Sequence, residues 1–465
     1  MKRPDLVLGS PRELGTVGVV AGVSGAYAAA LIMTSSFMTT MAETAGGSSL
    51  SLLLGAVSGV FILIALYVGA VVITNCVATV IAGRLRHIAL LRLLGSSSRD
   101  LRRSIGWSTA KVGLLGALAG LTVGTLGADL TRVVLVQRGT MPDLAYPWWA
   151  PGLLVAAAAI ATASLLAGWV GAHTVLNVSP AQAMSGATHD APNRGGVSRL
   201  RAGTASILGL GGCALLGVAM LLGEEGSAAG FLVAFLGSAV SATGILLGAR
   251  FLIPFVVSRV SRLLGHDAPS TIAQRNAVTD PLRTTRSTMG LVIGATLVTT
   301  FSAGAAALKD SVASWGLTGA DEILARQILT TTTAVLICIV VISAVIAAVG
   351  FISTMSLTVI QRGREIGLLR ALGFTTTQIR SMITKESLAL SGAAAMLGIL
   401  LGLAYGAIGA QSLVGSMNNG IVLGLPWLVL AAIAAASLAL VVISSQAPAR
   451  RATSVAPIDA LHIDT

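Results

Sequence analysis

The sequence contains few charged and few aromatic residues. Only 10% of its 465 residues are charged and 4% are aromatic, whereas 54% are hydrophobic. Soluble globular chains are typically about a quarter charged. The scarcity of charge therefore excludes an ordinary water-soluble domain and predicts a polytopic membrane protein. Because glycine supplies 54 residues, we expect helices that pack in lipid through small side chains.

The sequence also offers little for catalysis, redox chemistry or metal binding. The cysteines all lie within apolar runs and are interpreted as small hydrophobic residues: Cys76, Cys213 and Cys338. Three of the five histidines are scattered too far apart in sequence to indicate a metal site: His173, His189 and His462. No nucleophile and base can be paired, so no catalytic residue is predicted and a membrane enzyme is disfavoured.

A nucleotide-binding motif is absent as well. A P-loop ends in Gly-Lys-Ser or Gly-Lys-Thr, and none of the four lysines fits, because they are followed by Arg, Val, Asp and Glu: Lys2, Lys111, Lys309 and Lys385. If this protein uses ATP, a separate subunit must hydrolyse it. We therefore expect a chain that binds no cofactor itself.

Long apolar runs predict an all-α fold with about ten transmembrane helices. Each run is long enough to cross about 30 Å of hydrocarbon. Their approximate limits are 15–40, 52–82, 106–136, 147–176, 204–222, 228–249, 287–308, 328–357, 385–410 and 425–447.

The distribution of positive charge predicts the orientation. If both termini are inside, 25 of the 30 Lys and Arg residues fall in cytoplasmic segments and only four fall outside, as the positive-inside rule requires. The net charge of +12 then belongs to short loops, so no nucleic-acid partner is predicted. The excess of arginine over lysine, with abundant alanine and glycine, suggests a GC-rich bacterium. We expect a bacterial plasma-membrane protein with cytoplasmic N- and C-termini.

Two segments share a pattern in constant register. One reads GRLRHIALLRLLGSSSRDLRRSI from Gly83, and the other reads GREIGLLRALGFTTTQIRSMI from Gly363. The register pairs arginines and glycines of the two segments: Arg86 with Arg364, Arg92 with Arg370, and Gly95 with Gly373. The shared pattern predicts an internal repeat, parallel because an even number of spans separates the matching elements.

The repeat predicts three parts. Residues 1–186 form a first four-span repeat, residues 187–269 form a linker and a central pair of spans, and residues 270–465 form a second four-span repeat. The two repeats thus flank a central helix pair.

Each repeated segment predicts a helix–turn–helix on the cytoplasmic face. Gly95 and Gly373 suit the left-handed position after a helix. Ser97-x-x-Asp100 and Thr375-x-x-Gln378 are typical of the caps that begin a new helix. The alternative is a pair of basic loops that anchor the protein to the membrane surface.

Glycines at four-residue spacing mark the third span of each repeat. Such spacing gives a flat helix face that favours close packing in lipid. The glycines of the two ladders are Gly116, Gly120, Gly124, Gly398, Gly402 and Gly406.

Few ionisable residues lie within the predicted spans. Lys111 is expected to extend toward the cytoplasmic surface, and Asp129 and Arg132 are expected to pair near the outer end of the third span. Trp148 and Trp149 are typical of an outer aromatic belt. No run of carboxylates resembles a proton relay.

At these motifs the chain resembles the FtsX-like permease family, the membrane subunits of MacB-type (type VII) ABC transporters. The resemblance is carried by residues 273–289, by REIGLLRALG at residues 364–373, by Glu386 and by Pro457-x-x-Ala460. It covers residues 1–186 and 270–465. The first half departs from the pattern, with His87 where the second half has Glu365. The extracellular domain common in the family has no counterpart here, because the corresponding segments are short.

The resemblance implies a cytoplasmic ATPase dimer that binds ATP and Mg²⁺. The two repeated segments would bind this dimer. Arginine can bind carboxylates of such a partner bidentately. The apolar residues that could fill a groove on it are Ile366, Leu368, Leu369 and Leu372. The residues expected to couple the chain to the ATPase are Arg86, Arg92, Gly95, Arg364, Glu365, Arg370 and Gly373. Contact with lipid headgroups is the alternative for the loop arginines, Arg99, Arg102 and Arg103 above all.

The resemblance implies a permease subunit that exports or extracts a hydrophobic or amphipathic compound, such as a lipid, a peptide or a drug-like molecule. Membrane lipid is an expected partner, and an extracellular protein or lipoprotein is a further candidate. The alternatives are a non-transporting signalling or regulatory ABC subunit and, with less support, an ion-coupled secondary transporter. The residues that bind substrate are not predicted.

Overall fold

The structure is a computed structural model in which all described regular structure is helical. It describes residues 11–44, 93–139, 142–176, 199–227, 229–265, 267–279, 281–314, 363–417, 420 and 423–454, together with isolated residues between 59 and 91. Ten α-helices lie in the continuous ranges: α1 Pro11–Thr44, α2 Ser98–Gln137, α3 Gly152–Leu176, α4 Arg199–Glu224, α5 Ala229–Ser261, α6 Ala268–Thr279, α7 Pro281–Ser314, α8 Gly363–Ala371, α9 Thr376–Val414 and α10 Trp427–Ser454. The predicted all-helical class is confirmed over these residues.

Seven of the described helices are long and apolar enough to cross a membrane. The candidate spans are Val17–Phe37, Ser98–Gln137, Gly152–Gly171, Arg201–Glu224, Ala229–Ser261, Thr288–Ser314 and Thr376–Met417. Each overlaps one of the predicted spans. The predicted span 425–447 falls on α10, whose apolar stretch Trp427–Ala439 is shorter. The predicted spans 52–82 and 328–357 lie outside the continuously described residues, so the total of ten stays a prediction.

The chain divides into two compact units, Met1–Val197 and Ser198–Thr465. The second unit contains α4 and α5, the central pair, together with the helices that follow them. The three-part division drawn from the repeat stays a prediction.

The first unit is built on close contact between α1 and α2. A Cβ atom placed on any glycine of the first ladder would collide with main-chain atoms of α1. The contacts pair Gly116 with Gly18, Gly120 with Gly22, and Gly124 with Ala26. Because residue numbers rise together along both helices, α1 and α2 run parallel. The other side of α2 packs on α3, where Gly168 faces Thr109.

The second unit repeats this arrangement between α7 and α9. A Cβ atom on Gly402 would lie 2.7 Å from the carbonyl oxygen of Thr296, and one on Gly406 would lie 2.6 Å from that of Thr300. Gly398 approaches Ala295 in the same way. These helices are also parallel, so the second ladder contacts α7 as the first ladder contacts α1.

The central pair packs along α9. At one end, residues of α5 such as Ile253 and Val257 share a buried cluster with Ala389 and Ala393 of α9. Further along, the buried Tyr405 hydroxyl donates a hydrogen bond of 3.1 Å to the Ser241 hydroxyl on α5. The second unit therefore covers a side of α9 that does not carry the glycine ladder.

Replacing Gly402 by alanine tests whether the ladder is a packing face. The added methyl would collide with Thr296 and Thr299, and overpacking of this kind typically costs about 1–3 kcal/mol. We expect a lower melting temperature in detergent for Gly402→Ala. Gly409→Ala is the matched control. Gly409 lies on the same helix, and a Cβ atom there would have no neighbouring atom within 4 Å. Equal melting temperatures for the two variants would contradict the packing role.

Candidate functional site

The turn between α8 and α9 is closed by a specific set of main-chain hydrogen bonds. Gly373 adopts φ +93°, a conformation that favours glycine. The Phe374 N–H donates to the Leu369 carbonyl at 3.0 Å, and the Gly373 N–H donates to the Arg370 carbonyl at 3.1 Å. This pair of bonds defines a Schellman motif. The predicted left-handed glycine at the end of this helix is confirmed.

The loop before α2 has matching geometry. Gly95 also adopts φ +93°, and the Ser96 N–H donates to the Leu91 carbonyl at 3.0 Å. That bond is the equivalent of the one between Phe374 and Leu369. The two loops thus share the turn that the sequence register predicts.

Side-chain caps begin the long helix after each turn. The Gln378 N–H donates to the Thr375 hydroxyl at 3.2 Å, and the Thr375 N–H donates to Gln378 Oε1 at 2.9 Å, which completes a capping box. In the first loop the Asp100 N–H donates to the Ser97 hydroxyl at 3.1 Å. Both predicted caps are confirmed. Such caps typically stabilise a helix by about 1 kcal/mol each.

One leucine in each loop anchors it to its own unit. Leu369 packs on a cluster that joins α6 to the start of α9 and contains Ala273, Ile379 and Ile383. Leu91 packs in the same way on the core of the first unit. The expectation that Leu369 fills a groove on a partner therefore differs from the structure, where this side chain is engaged within the protein.

The neighbouring leucines point away from these clusters and are exposed. Leu94 is 83% exposed and Leu372 is 71% exposed, and Leu90 and Leu368 are exposed one turn earlier. Each turn therefore presents two exposed leucines at equivalent positions.

The structure describes some of the predicted coupling residues fully, some only in their main chain and some not at all. Gly95 and Gly373 form the turns, and Arg370 is half-buried on α8. Arg364 and Glu365 lie in the first turn of α8, but their side chains are outside the described part of the chain. Arg86 and Arg92 lie outside the described residues altogether. The coupling roles of all seven stay predictions.

An ion pair that sequence reasoning missed joins α6 to α9. Lys385 Nζ lies 2.6 and 2.7 Å from the two carboxylate oxygens of Asp267 and 2.7 Å from the Ser270 hydroxyl. These bonds tie the beginning of α6 to the α9 turn that precedes the buried Glu386. The rarity of lysine could have drawn attention to Lys385, because only four lysines occur in the chain. Nothing in the sequence, however, connects Lys385 to Asp267.

The ion pair changes the titration of Asp267. Hydrogen bonds from Lys385, and secondarily from Ser270, lower the pKa of this carboxyl below its ordinary value of 3.8. A lowered pKa means that the pair stabilises the folded state fully above the ordinary value. Its contribution is lost as the pH falls through the lower pKa of the folded protein.

A second ionic cluster lies near the C-terminal end of α2. Arg132 Nε is 3.4 Å from Asp129 Oδ1, so the predicted pairing of these residues is confirmed. The Arg132 guanidinium also lies 5.8 Å from the centre of the Phe37 ring and 5.7 Å from that of Tyr146. Burial raises the pKa of Tyr146, although the charge of Arg132 acts in the opposite direction. This cluster joins α1, α2 and the segment before α3.

No group of three or more histidine, cysteine or acidic side chains that could hold a metal ion is present among the described residues.

Exchanging the charges of Lys385 and Asp267 tests the ion pair. We expect Lys385→Met and Asp267→Asn each to increase hydrogen exchange of the α6 backbone, because each removes the contact with α9. The double exchange Lys385→Asp with Asp267→Lys should restore protection. Lys309→Met, at an exposed lysine of α7, is the control for loss of one charge. If the double exchange is no better than either single variant, the pair does not hold α6.

Comparisons with known proteins match both parts of the chain that contain these turns. The family model described as FtsX-like permease C-terminal matches residues 59–180 and 337–457, which together make up just over half of the chain. An uncharacterized ABC transporter permease of Methanocaldococcus jannaschii is 30% identical over 122 residues, which is 26% of this chain and 30% of the relative. The matched part is thus less than a third of that relative's length. This multi-pass membrane protein belongs to the FtsX-like permease family.

Proposed function

We propose that this chain is the permease subunit of an ABC transporter of the MacB type, which uses the ATPase activity of a separate subunit to export or extract a hydrophobic or amphipathic compound. The observation that carries the proposal is the pair of rigid turns, each with exposed leucines. The family match and the archaeal permease support the general assignment to ABC permeases.

The exposed leucines favour a protein partner at the turns. Fully burying one leucine side chain is worth about 1.5–3 kcal/mol, so Leu94 and Leu372 would contribute substantially to a docked complex. Arg370, and Arg92 in the first loop, would supply charges for acidic groups around such a contact. The loops would then act as the two attachment points for an ATPase dimer that carries ATP and Mg²⁺.

The bonding around each turn suits transmission of force. In the second unit, Leu369 and the capping box of Thr375 fix α8 to α9. Helix α9 continues for 39 residues, or about 58 Å at 1.5 Å per residue. A movement at the turn would therefore reach the membrane-spanning part of α9 and, through the glycine ladder, α7.

The duplication favours one chain per ATPase dimer. The family model matches two separate segments, and the two described turns have the same geometry. A single chain would thus supply both attachment points that a two-subunit permease supplies jointly. The proposal includes ten spans in two four-span repeats around the central pair, cytoplasmic termini and a bacterial plasma membrane.

The substrate class rests on the character of the membrane segments. An ion-coupled transporter would require carboxylates within its spans, and the sequence places no run of them there. The predicted outer loops are also short. An amphipathic compound taken from the membrane, such as a lipid, peptide or drug-like molecule, fits this arrangement. An extracellular protein or lipoprotein would receive it if export continues beyond the membrane.

Placing a charge at each turn tests the proposed attachment. We expect Leu94→Glu combined with Leu372→Glu to abolish co-purification of the ATPase from mild detergent, because both side chains would be buried in the complex. The melting temperature of the permease should change little, since both leucines are exposed. Leu263→Glu is the matched control, because this leucine is 85% exposed and lies outside the two turns.

Three outcomes would contradict the proposal. Retention of a stoichiometric ATPase by the double variant would show that the turns are not the attachment points. Absence of any ATPase from the unsubstituted protein would oppose the ABC assignment, and ion-gradient transport would then be measured. If the ATPase is retained by the unsubstituted protein but no compound is moved, a signalling role would replace transport.

A further inference from the structure

One face of α2 carries exposed basic residues followed by exposed leucines. Arg103, Trp107 and Lys111 are all exposed, and their four-residue spacing places them on one side of the helix. Leu114 and Leu118 continue this side toward the middle of α2 and are exposed as well. We call these five residues the basic face.

Other sides of α2 pack within the first unit. The glycine ladder contacts α1, and Thr109 contacts Gly168 of α3. Arg102, next to Arg103, is also engaged with α3, because its guanidinium lies 3.4 Å from the centre of the Trp169 ring. The basic face is the side of α2 that these contacts leave uncovered.

The charge of the basic face is positive. Its nearest carboxylate along the helix is Asp100, one turn before Arg103, and that carboxylate accepts a hydrogen bond of 2.7 Å from the Ser97 hydroxyl. Among the described residues, no ion pair involves Arg103 or Lys111. Two cations with a tryptophan between them are therefore presented to the surroundings.

The matching positions on α9 differ in burial. The register that pairs Gly95 with Gly373 pairs Lys111 with Ala389 and Leu115 with Ala393. Ala389 and Ala393 are fully buried in a cluster with α5, whereas Leu115 is 68% exposed. At these two positions the second unit thus covers with protein a surface that α2 leaves open.

We propose that the basic face binds an anionic phospholipid. Arg103 and Lys111 would contact the phosphate, Trp107 would lie at the level of the headgroup, and an acyl chain would run along Leu114 and Leu118. The position fits this ligand, because α2 has 40 residues and about 20 suffice to cross the hydrocarbon. The beginning of α2 therefore extends through the headgroup region.

The order of residues also favours a phospholipid over a soluble anion. The cations come first along the helix and the leucines follow directly, as the charged head and apolar tail of a lipid require. Basic residues close to an anionic membrane surface are each worth about a five-fold change in binding. Loss of both cations should therefore reduce the preference for anionic lipid by at least about five-fold.

Lipid selectivity of the purified chain tests this site. The protein is reconstituted in phosphatidylcholine vesicles, and the immobilised fraction of spin-labelled phosphatidylglycerol is compared with that of spin-labelled phosphatidylcholine. We expect a preference for phosphatidylglycerol that Arg103→Gln combined with Lys111→Gln reduces by about five-fold or more. Arg138→Gln combined with Arg201→Gln is the control, because it removes two exposed charges elsewhere and should leave the preference unchanged.

Three results would overturn the proposal. The first is equal association of the two lipids with the unsubstituted protein, and the second is an equal effect of the test and control substitutions. The third is an unchanged lipid preference with a changed oligomeric state, which would assign the basic face to contact between protein chains. The measurement needs no ATPase, so its outcome is independent of the proposed transport function.

Discussion

Main-chain contact across glycines is the constraint on which the rest of this structure depends. Gly120 of α2 and Gly402 of α9 approach their partner helices so closely that even a methyl group would collide with neighbouring atoms. In lipid, where the hydrophobic effect does not drive helices together, close approach of this kind supplies much of the attraction. Each unit is thereby organised around a parallel helix pair, α1 with α2 and α7 with α9.

The two turns are built on these closely packed helix pairs. Leu91 and Leu369 anchor the short helices to the units, and caps at Ser97 and Thr375 begin the long helices without a break. Leu94 and Leu372 take no part in these anchoring contacts and remain exposed. A site that binds another protein and moves with it needs both properties.

Sequence patterns predicted the local features of this fold better than its contacts between helices. The positive-φ glycines and the two caps depend on residues within one turn, so Gly95, Gly373 and Thr375 were identified correctly. The pairing of Lys385 with Asp267 joins distant parts of the chain, and no local pattern encodes it. For the same reason the contact of Tyr405 with Ser241 could not be anticipated.

Leu369 illustrates a further reason why the sequence was insufficient. An amphipathic helix of nine residues has two apolar edges, and the sequence does not tell which edge faces its own protein. The position of α6 decides this, because Ala273 supplies the surface on which Leu369 packs. The division between anchoring and exposed leucines therefore required the three-dimensional arrangement.

The most direct test of the account is photo-crosslinking from the two turns in the intact complex. A photoreactive amino acid at position 94 or at position 372 should capture the ATPase in each case, and native mass spectrometry should give one permease chain with two ATPase copies. Capture at neither position, or a complex in which the ATPase contacts only other parts of the permease, would contradict the claim that the paired turns connect this membrane protein to ATP hydrolysis.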